Sequence, residues 1–234
     1  MGSDDIFKRR KAQAAATLER QKKSRSKGPR LLIVCEGAKT EPYYFDEFCV
    51  LHQLRTPRVR IAPNNSGSSP DRVVSHAEQL YDEDAQMGAD PYDKVFCVFD
   101  RDNHSTFKTA LMRIKTLHSA GKPFVAITSY PCFEYWLLLH FTYTRMPFHA
   151  KGRQSIGDNV VKELRKQPAM KSYNKADRNI YGLLRPKTDI AIRHAKQSAT
   201  EAEQTGEKNP STQVHLLVQE LTELAKSHGR VPTY

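Results

Sequence analysis

Leu31-Leu32-Ile33-Val34-Cys35-Glu36-Gly37 is apolar for five residues and then delivers a carboxylate and a glycine. A second stretch, Val95-Phe96-Cys97-Val98-Phe99-Asp100-Arg101-Asp102, ends the same way with two carboxylates. Continuous apolar runs rich in β-branched and aromatic residues read as central strands of a parallel sheet. In open α/β sheets, ligands collect beyond the carboxyl ends of such strands. Glu36, Asp100 and Asp102 are therefore expected to share one site. Three converging carboxylates repel one another unless a cation joins them, and hard oxygen ligands suit Mg²⁺ or Mn²⁺. The expectation is a metal-dependent phosphoryl-transfer enzyme.

Working outward, the elements alternate. Strands are expected over 31–35, 58–62, 94–99 and 123–128. Helices follow from Thr40 to about residue 54, over 70–87, and along Phe107, Leu111, Ile114 and Leu117 at three-to-four spacing. This order predicts an α/β fold with a mostly parallel Rossmannoid sheet covered on both faces. The stretch 131–141, containing Glu134, Trp136 and His140, is apolar nearly all round and reads as a buried helix. Beyond it the chain is polar, with helical segments expected near 155–167, 172–184, 188–204 and 211–227. The division is thus a basic arm over 1–29, an α/β domain over 30–145 and a C-terminal helical region over 146–234.

The 234 residues carry a formal net charge of +11. The first thirty hold ten Lys or Arg, among them Arg9, Arg10, Lys22 and Lys23, against three acidic residues. A basic arm gains from counterion release on a polyanion, so nucleic acid is the expected partner, although a solvated arm explains the same charge. No apolar run approaches the ~20 residues needed to span a bilayer. Cys35, Cys49, Cys97 and Cys132 form no C-x-x-C pair, and two of them lie in apparent buried strands. Reduced structural thiols and a cytoplasmic home follow as expectations.

At the first strand's end, Glu36 is placed to act as acid/base, and Lys39 to meet a phosphate at the following helix N-terminus. The corner is not a Walker loop, because Ala38 stands where that loop needs a second glycine. Asp100 and Asp102, two apart, project to one side if the extended geometry persists, while an Asp-rich turn paired with Arg101 is the plainer reading of the same residues. Glu134 is costly inside an apolar helix without a partner. It reads equally as a metal or outer ligand and as a structural ion pair. His104 is explained as well by solvent contact near a helix start, and is left outside the catalytic set.

The Glu after the first strand and the Asp-x-Asp after the third resemble the Toprim domain of topoisomerases, primases and OLD-type nucleases. The closer likeness is to the RloB family. Its pattern resembles Leu32-Ile33-Val34-Cys35-Glu36-Gly37 with Lys39-Thr40-Glu41 and Tyr44-Phe45. Phe99-Asp100-Arg101-Asp102 follows, then Pro131-Cys132-Phe133-Glu134 with Trp136-Leu137-Leu138-Leu139-His140. In the tail, Ala191-Ile192, Ala195-Lys196, Asn209-Pro210-Ser211-Thr212, Val214-His215 and Leu217-Val218 extend the likeness.

The resemblance implies a bacterial antiphage or abortive-infection role, often beside an ABC- or AAA-type ATPase. It makes Glu36 the acid/base, Asp100 and Asp102 the metal ligands, and Mg²⁺ or Mn²⁺ the cofactor. Two functions are therefore carried forward. One is a metal-dependent phosphodiesterase of RNA such as tRNA, or of DNA, using Lys39, Arg101 and the basic arm to hold substrate. The other is a noncatalytic nucleic-acid- or protein-binding module on a Toprim scaffold. A homo-oligomer is compatible with either, and no membrane partner is expected.

Overall fold

The computed structural model describes residues 28–54, 58–64, 67, 69–102 and 104–227. The basic arm, with Arg9, Arg10, Lys22 and Lys23, lies outside them. Four parallel strands, β1 (Leu31–Cys35), β2 (Val59–Pro63), β3 (Lys94–Asp100) and β4 (Phe124–Tyr130), lie in the order β2-β1-β3-β4. A two-residue strand β5 (Ser211–Thr212) adds antiparallel to β4. The chain is an α/β protein with a mostly parallel, Rossmann-like sheet. Because β2 lies on one side of β1 and β3 on the other, the β1/β3 boundary is the topological switch point, where the crossover connections diverge and leave a crevice.

Alternation divides each strand between two cores. Leu32, Val34, Val95, Cys97 and Phe99 pack under α2 (Pro70–Gln86) and α3 (Phe107–Ser119), against Val73, Val74, Ala77 and Ile114. Leu31, Ile33, Cys35, Phe96 and Val98 face the opposite side with Tyr44, Phe45 and Phe48 of α1 (Thr40–Leu51). Both faces are covered, so the strands need no polar alternation. Full burial of each Phe or Leu contributes about 1.5–3 kcal/mol.

The stretch 131–141 is not one helix. Only Glu134–Leu138 (α4) is α-helical. Its flanks close by i→i−3 bonds instead, from Tyr135 N–H to Cys132 O at 3.1 Å and from His140 N–H to Leu137 O at 3.3 Å. Trp136 within it is fully buried.

The C-terminal region packs as part of the same body, and no break falls at residue 145. Val160 and Leu164 of α5 (Ile156–Leu164), Ile180 and Leu184 of α6 (Ile180–Leu184), Ala191 and Ala195 of α7 (Thr188–Thr205), and Leu217 and Leu221 of α8 (Val214–Ser227) join the core of β1 and α1. Tyr181 anchors α6 to α1, its N–H donating to Glu47 Oε2 at 2.8 Å and its hydroxyl meeting His52 Nε2 at 2.6 Å.

Two sequence expectations fail in this region. Residues 211–212 are strand rather than helix, and the helix expected over 172–184 forms only at its end. The reason in the second case is local. Asn174 Oδ1 accepts the Ala176 N–H at 3.0 Å, and Asp177 Oδ2 accepts the Asn174 N–H at 2.9 Å. Short polar side chains thus take the backbone bonds a helix would use. The resulting turn carries Tyr173 and Lys175 to the sheet.

Candidate acidic site at the strand ends

The paired register of β1 and β3 sets Cys35 opposite Val98, so the next residues leave the sheet side by side. Glu36 continues the ladder, its N–H donating to Val98 O at 2.9 Å. Its carboxylate is only 7% exposed. Oε2 accepts the Asp100 N–H at 2.9 Å, and Oε1 lies 3.1 Å from His104 Nε2. Burial pushes the Glu36 carboxyl above its ordinary range, against the pull of the Asp100 N–H and of His104. Asp102 stands near enough to push in the same direction as burial.

Three further carboxylates surround this point. Glu41, in the first turn of α1, turns back toward the strand end. A Cβ added at Gly37 would stand 2.5 Å from Glu41 Oε2, so glycine there makes room for that return. Burial, with Glu134 and Glu36 adding repulsion, raises the Glu41 carboxyl to about 7. Asp100 is raised well above its ordinary value, chiefly by burial and then by Glu41, Glu134 and Glu36, while the Phe133 N–H opposes the shift.

Glu134 is 2% exposed, and its Oε1 accepts from Tyr173 Oη at 3.3 Å and pairs with Lys175 Nζ at 3.2 Å. Thr40 fixes that lysine's backbone by donating Oγ1–H to Lys175 O at 3.1 Å. Ala38, Lys39, Thr40, Glu41, Asp100, Phe133, Glu134 and Lys175 line the cleft so formed, about 250 Å³ in volume.

The residues singled out from sequence are distributed over two adjoining clefts. Asp100, Glu134 and Lys39 line the acidic one, with Glu36 buried beside it. Asp102 and Arg101 line a neighbouring cleft of about 480 Å³, together with His104, Tyr130 and Lys208. The two aspartates part because the chain bends after β3. Arg101 N–H still pairs with Ser129 O at 2.8 Å, but Asp102 N–H turns to Pro131 O at 3.2 Å.

Sequence reasoning gave no role to Glu41 or Lys175 and set His104 aside. Glu41 left a signal, a carboxylate one helical turn beyond the strand-end glycine, and His104 followed the Asp-x-Asp closely. Lys175 left none, since only tertiary packing brings its turn to the site.

All the carboxylate donors here are hard oxygens, the chemistry that suits Mg²⁺ or Mn²⁺. Glu36, Glu41 and Glu134 each repel the Asp100 carboxylate, which a divalent cation would relieve. Among the described residues, however, no three His, Cys, Asp or Glu side chains are gathered in the arrangement of a metal centre. In this arrangement Lys175 supplies positive charge to the cleft. It pairs with Glu134 and opposes the upward shift of Glu41.

Among the described residues no helix is long and apolar enough to cross a membrane. Comparison with curated proteins and with solved structures gives no match. The family model for RloB-like proteins matches residues 31–221, a span that takes in the four parallel strands, the acidic cleft and the turn bearing Lys175, and the chain belongs to that family.

Proposed function

We propose that this chain is a divalent-metal-dependent phosphodiesterase of nucleic acid, with Toprim-type chemistry, acting in the cytoplasm as an antiphage effector beside a partner ATPase. The observation that carries the reading is the clustering of Glu36, Asp100, Glu41 and Glu134 at the carboxyl ends of β1 and β3, where four buried or half-buried carboxylates repel one another. Folding such a cluster is costly, and a structural role does not call for it.

In this reading Asp100, with Glu36 and either Glu41 or Glu134, would hold Mg²⁺ or Mn²⁺. The ion would supply charge stabilisation at a phosphodiester oxygen. Glu36 transfers a proton at Oε1, and burial raises its affinity for that proton, the direction an acid/base needs. Lys39 and Lys175, both on the cleft wall, bind the phosphate's remaining oxygens. Asp102 and His104 approach Glu36 from the second cleft and set its charge and orientation.

The test is cleavage of total tRNA, single-stranded RNA and duplex DNA by purified protein with Mg²⁺ or Mn²⁺, beside Glu36→Ala and Asp100→Ala. Metal-dependent cutting absent from both variants supports the reading. Wild type that fails to cut, with and without the neighbouring ATPase, contradicts it.

A noncatalytic binding module is the second reading, favoured by one observation. Both Glu36 oxygens and Glu134 Oε1 are already engaged within the protein. It requires nucleic-acid binding that survives Glu36→Ala and Asp102→Ala.

A further inference from the structure

The second cleft adjoins the acidic site through His104, which lines it and contacts Glu36 at 3.1 Å. We propose that this cleft receives one unstacked nucleotide of a single-stranded nucleic acid. The base lies against Tyr130, and Arg101 and Lys208 hold the adjoining phosphate. The inference rests on the phosphodiesterase reading and narrows its substrate to single strands or to unpaired segments.

Four features support it. First, a volume of about 480 Å³ lies within the range of small-ligand sites and suits a single nucleotide. Second, Tyr130 at the end of β4 is half-exposed, and Phe107 holds its ring edge-on at 5.4 Å, so the aromatic surface is fixed in place. Base stacking on such a surface needs a base free of its own helix, which a duplex does not offer.

Third, two cations line the same cleft. Lys208 Nζ stands over the Tyr130 ring, 5.8 Å from its centroid, on an exposed side chain that an entering base would displace toward the phosphate. The Arg101 guanidinium lies over Phe107, 5.2 Å from its centroid, with Nη1 donating to Asp102 O at 2.8 Å. Of the two acidic residues on the wall, Glu207 is exposed but tied to its own loop, with Oε1 accepting the Asn209 N–H at 2.9 Å. Asp102 is exposed and offers an acceptor for a ribose hydroxyl or an exocyclic amine.

Fourth, the far rim is preorganised. Gly206 ends α7 in a left-handed conformation at φ 74°. Arg145 donates to Glu207 O at 2.6 Å and also to Pro210 O, while Asn209 and Phe148 exchange two hydrogen bonds at 2.7 and 3.3 Å. A rim held this way loses little freedom on binding.

Fluorescence anisotropy of the full chain in EDTA, where metal-dependent cleavage is silent, tests the inference. The probes are a short fluorescein-labelled single-stranded RNA, its DNA counterpart and a duplex of the same sequence. Tyr130→Leu should weaken single-strand binding about tenfold and Tyr130→Phe should retain it. Lys208→Ala, at an exposed position that folding does not depend on, should lower the salt slope of single-strand binding by about 0.7. Duplex binding should not respond to either change. Single-strand affinities of Tyr130→Leu and Lys208→Ala equal to wild type would overturn the proposal. So would an equal loss on the duplex, which would mean a surface that grips backbone without receiving a base. Since the readout is binding without metal, failure of this subsite and failure of the nuclease reading are separate results.

Discussion

The main-chain N–H of Asp100 donates to Oε2 of Glu36 at 2.9 Å, tying the carboxyl end of β3 to that of β1 across the switch point. This bond orients the Glu36 carboxylate and leaves Oε1 facing His104, the oxygen to which the proposed chemistry gives the proton. Glutamine preserves an oxygen acceptor for the Asp100 N–H but cannot carry a proton. Glu36→Gln should therefore melt within about 1 kcal/mol of wild type, while single-turnover cleavage falls by about 10²–10⁴-fold. Equal rates for the two proteins would remove Glu36 from the acid/base role.

Stability should depend on pH through the acidic cleft. Glu41 titrates at about 7 in the folded protein, above its ordinary value of 4.5, and Asp100 is raised as well. A carboxyl raised by folding contributes stability that is full below its unfolded pKa and lost as pH rises through the folded one. Thermal melts in EDTA should thus show this contribution shrinking between about pH 4.5 and 7, by up to roughly 3 kcal/mol from Glu41. Glu41→Gln, which mimics the protonated acid, should lose less over that window than wild type.

Three buried histidines act with the opposite sign. His52, His140 and His215 are each lowered by burial to about 4 from 6.5. Their contribution is complete above pH 6.5 and lost as pH falls toward 4. His140→Gln should accordingly flatten the acid limb of the melting profile without altering the limb governed by Glu41.

Much of this arrangement was legible in the sequence. The apolar runs before Glu36 and Asp100 fixed two central strands within a residue of their observed ends, because burial on both faces leaves a continuous signal. The split of Asp100 from Asp102 was not legible, since it depends on a bend set by Pro131 O on the neighbouring chain segment. Lys175 lay in a stretch of helical composition. The Asn174–Asp177 side-chain bonds override that composition, and only the folded chain shows the turn meeting Thr40.

Removing the cation of that turn should expose its role. Lys175→Met leaves Glu134 buried without its cation, beside the Tyr173 hydroxyl and the Cys132 thiol, at a cost of about 1–2 kcal/mol after allowing for the lysine's partial exposure. Added Mn²⁺ should raise the melting temperature of Lys175→Met more than that of wild type, because the ion then meets the repelling carboxylates without a competing ammonium. Equal gains would place metal and lysine at separate points.

Gly37→Ala probes the return of Glu41. The alanine methyl would stand 2.5 Å from Glu41 Oε2 and displace that carboxylate, while Gly37 has no left-handed backbone that alanine would strain. The fold should lose about 1 kcal/mol or less, and Mn²⁺ affinity should fall severalfold in a calorimetric titration.

The most direct test of the account is a calorimetric titration of the metal-free protein with Mn²⁺, comparing wild type with Asp100→Asn. The account predicts saturable binding by wild type, lost or weakened at least tenfold in Asp100→Asn with the fold intact. Wild type that binds no Mn²⁺, or Asp100→Asn that binds it equally, would contradict a cation centre at the ends of β1 and β3.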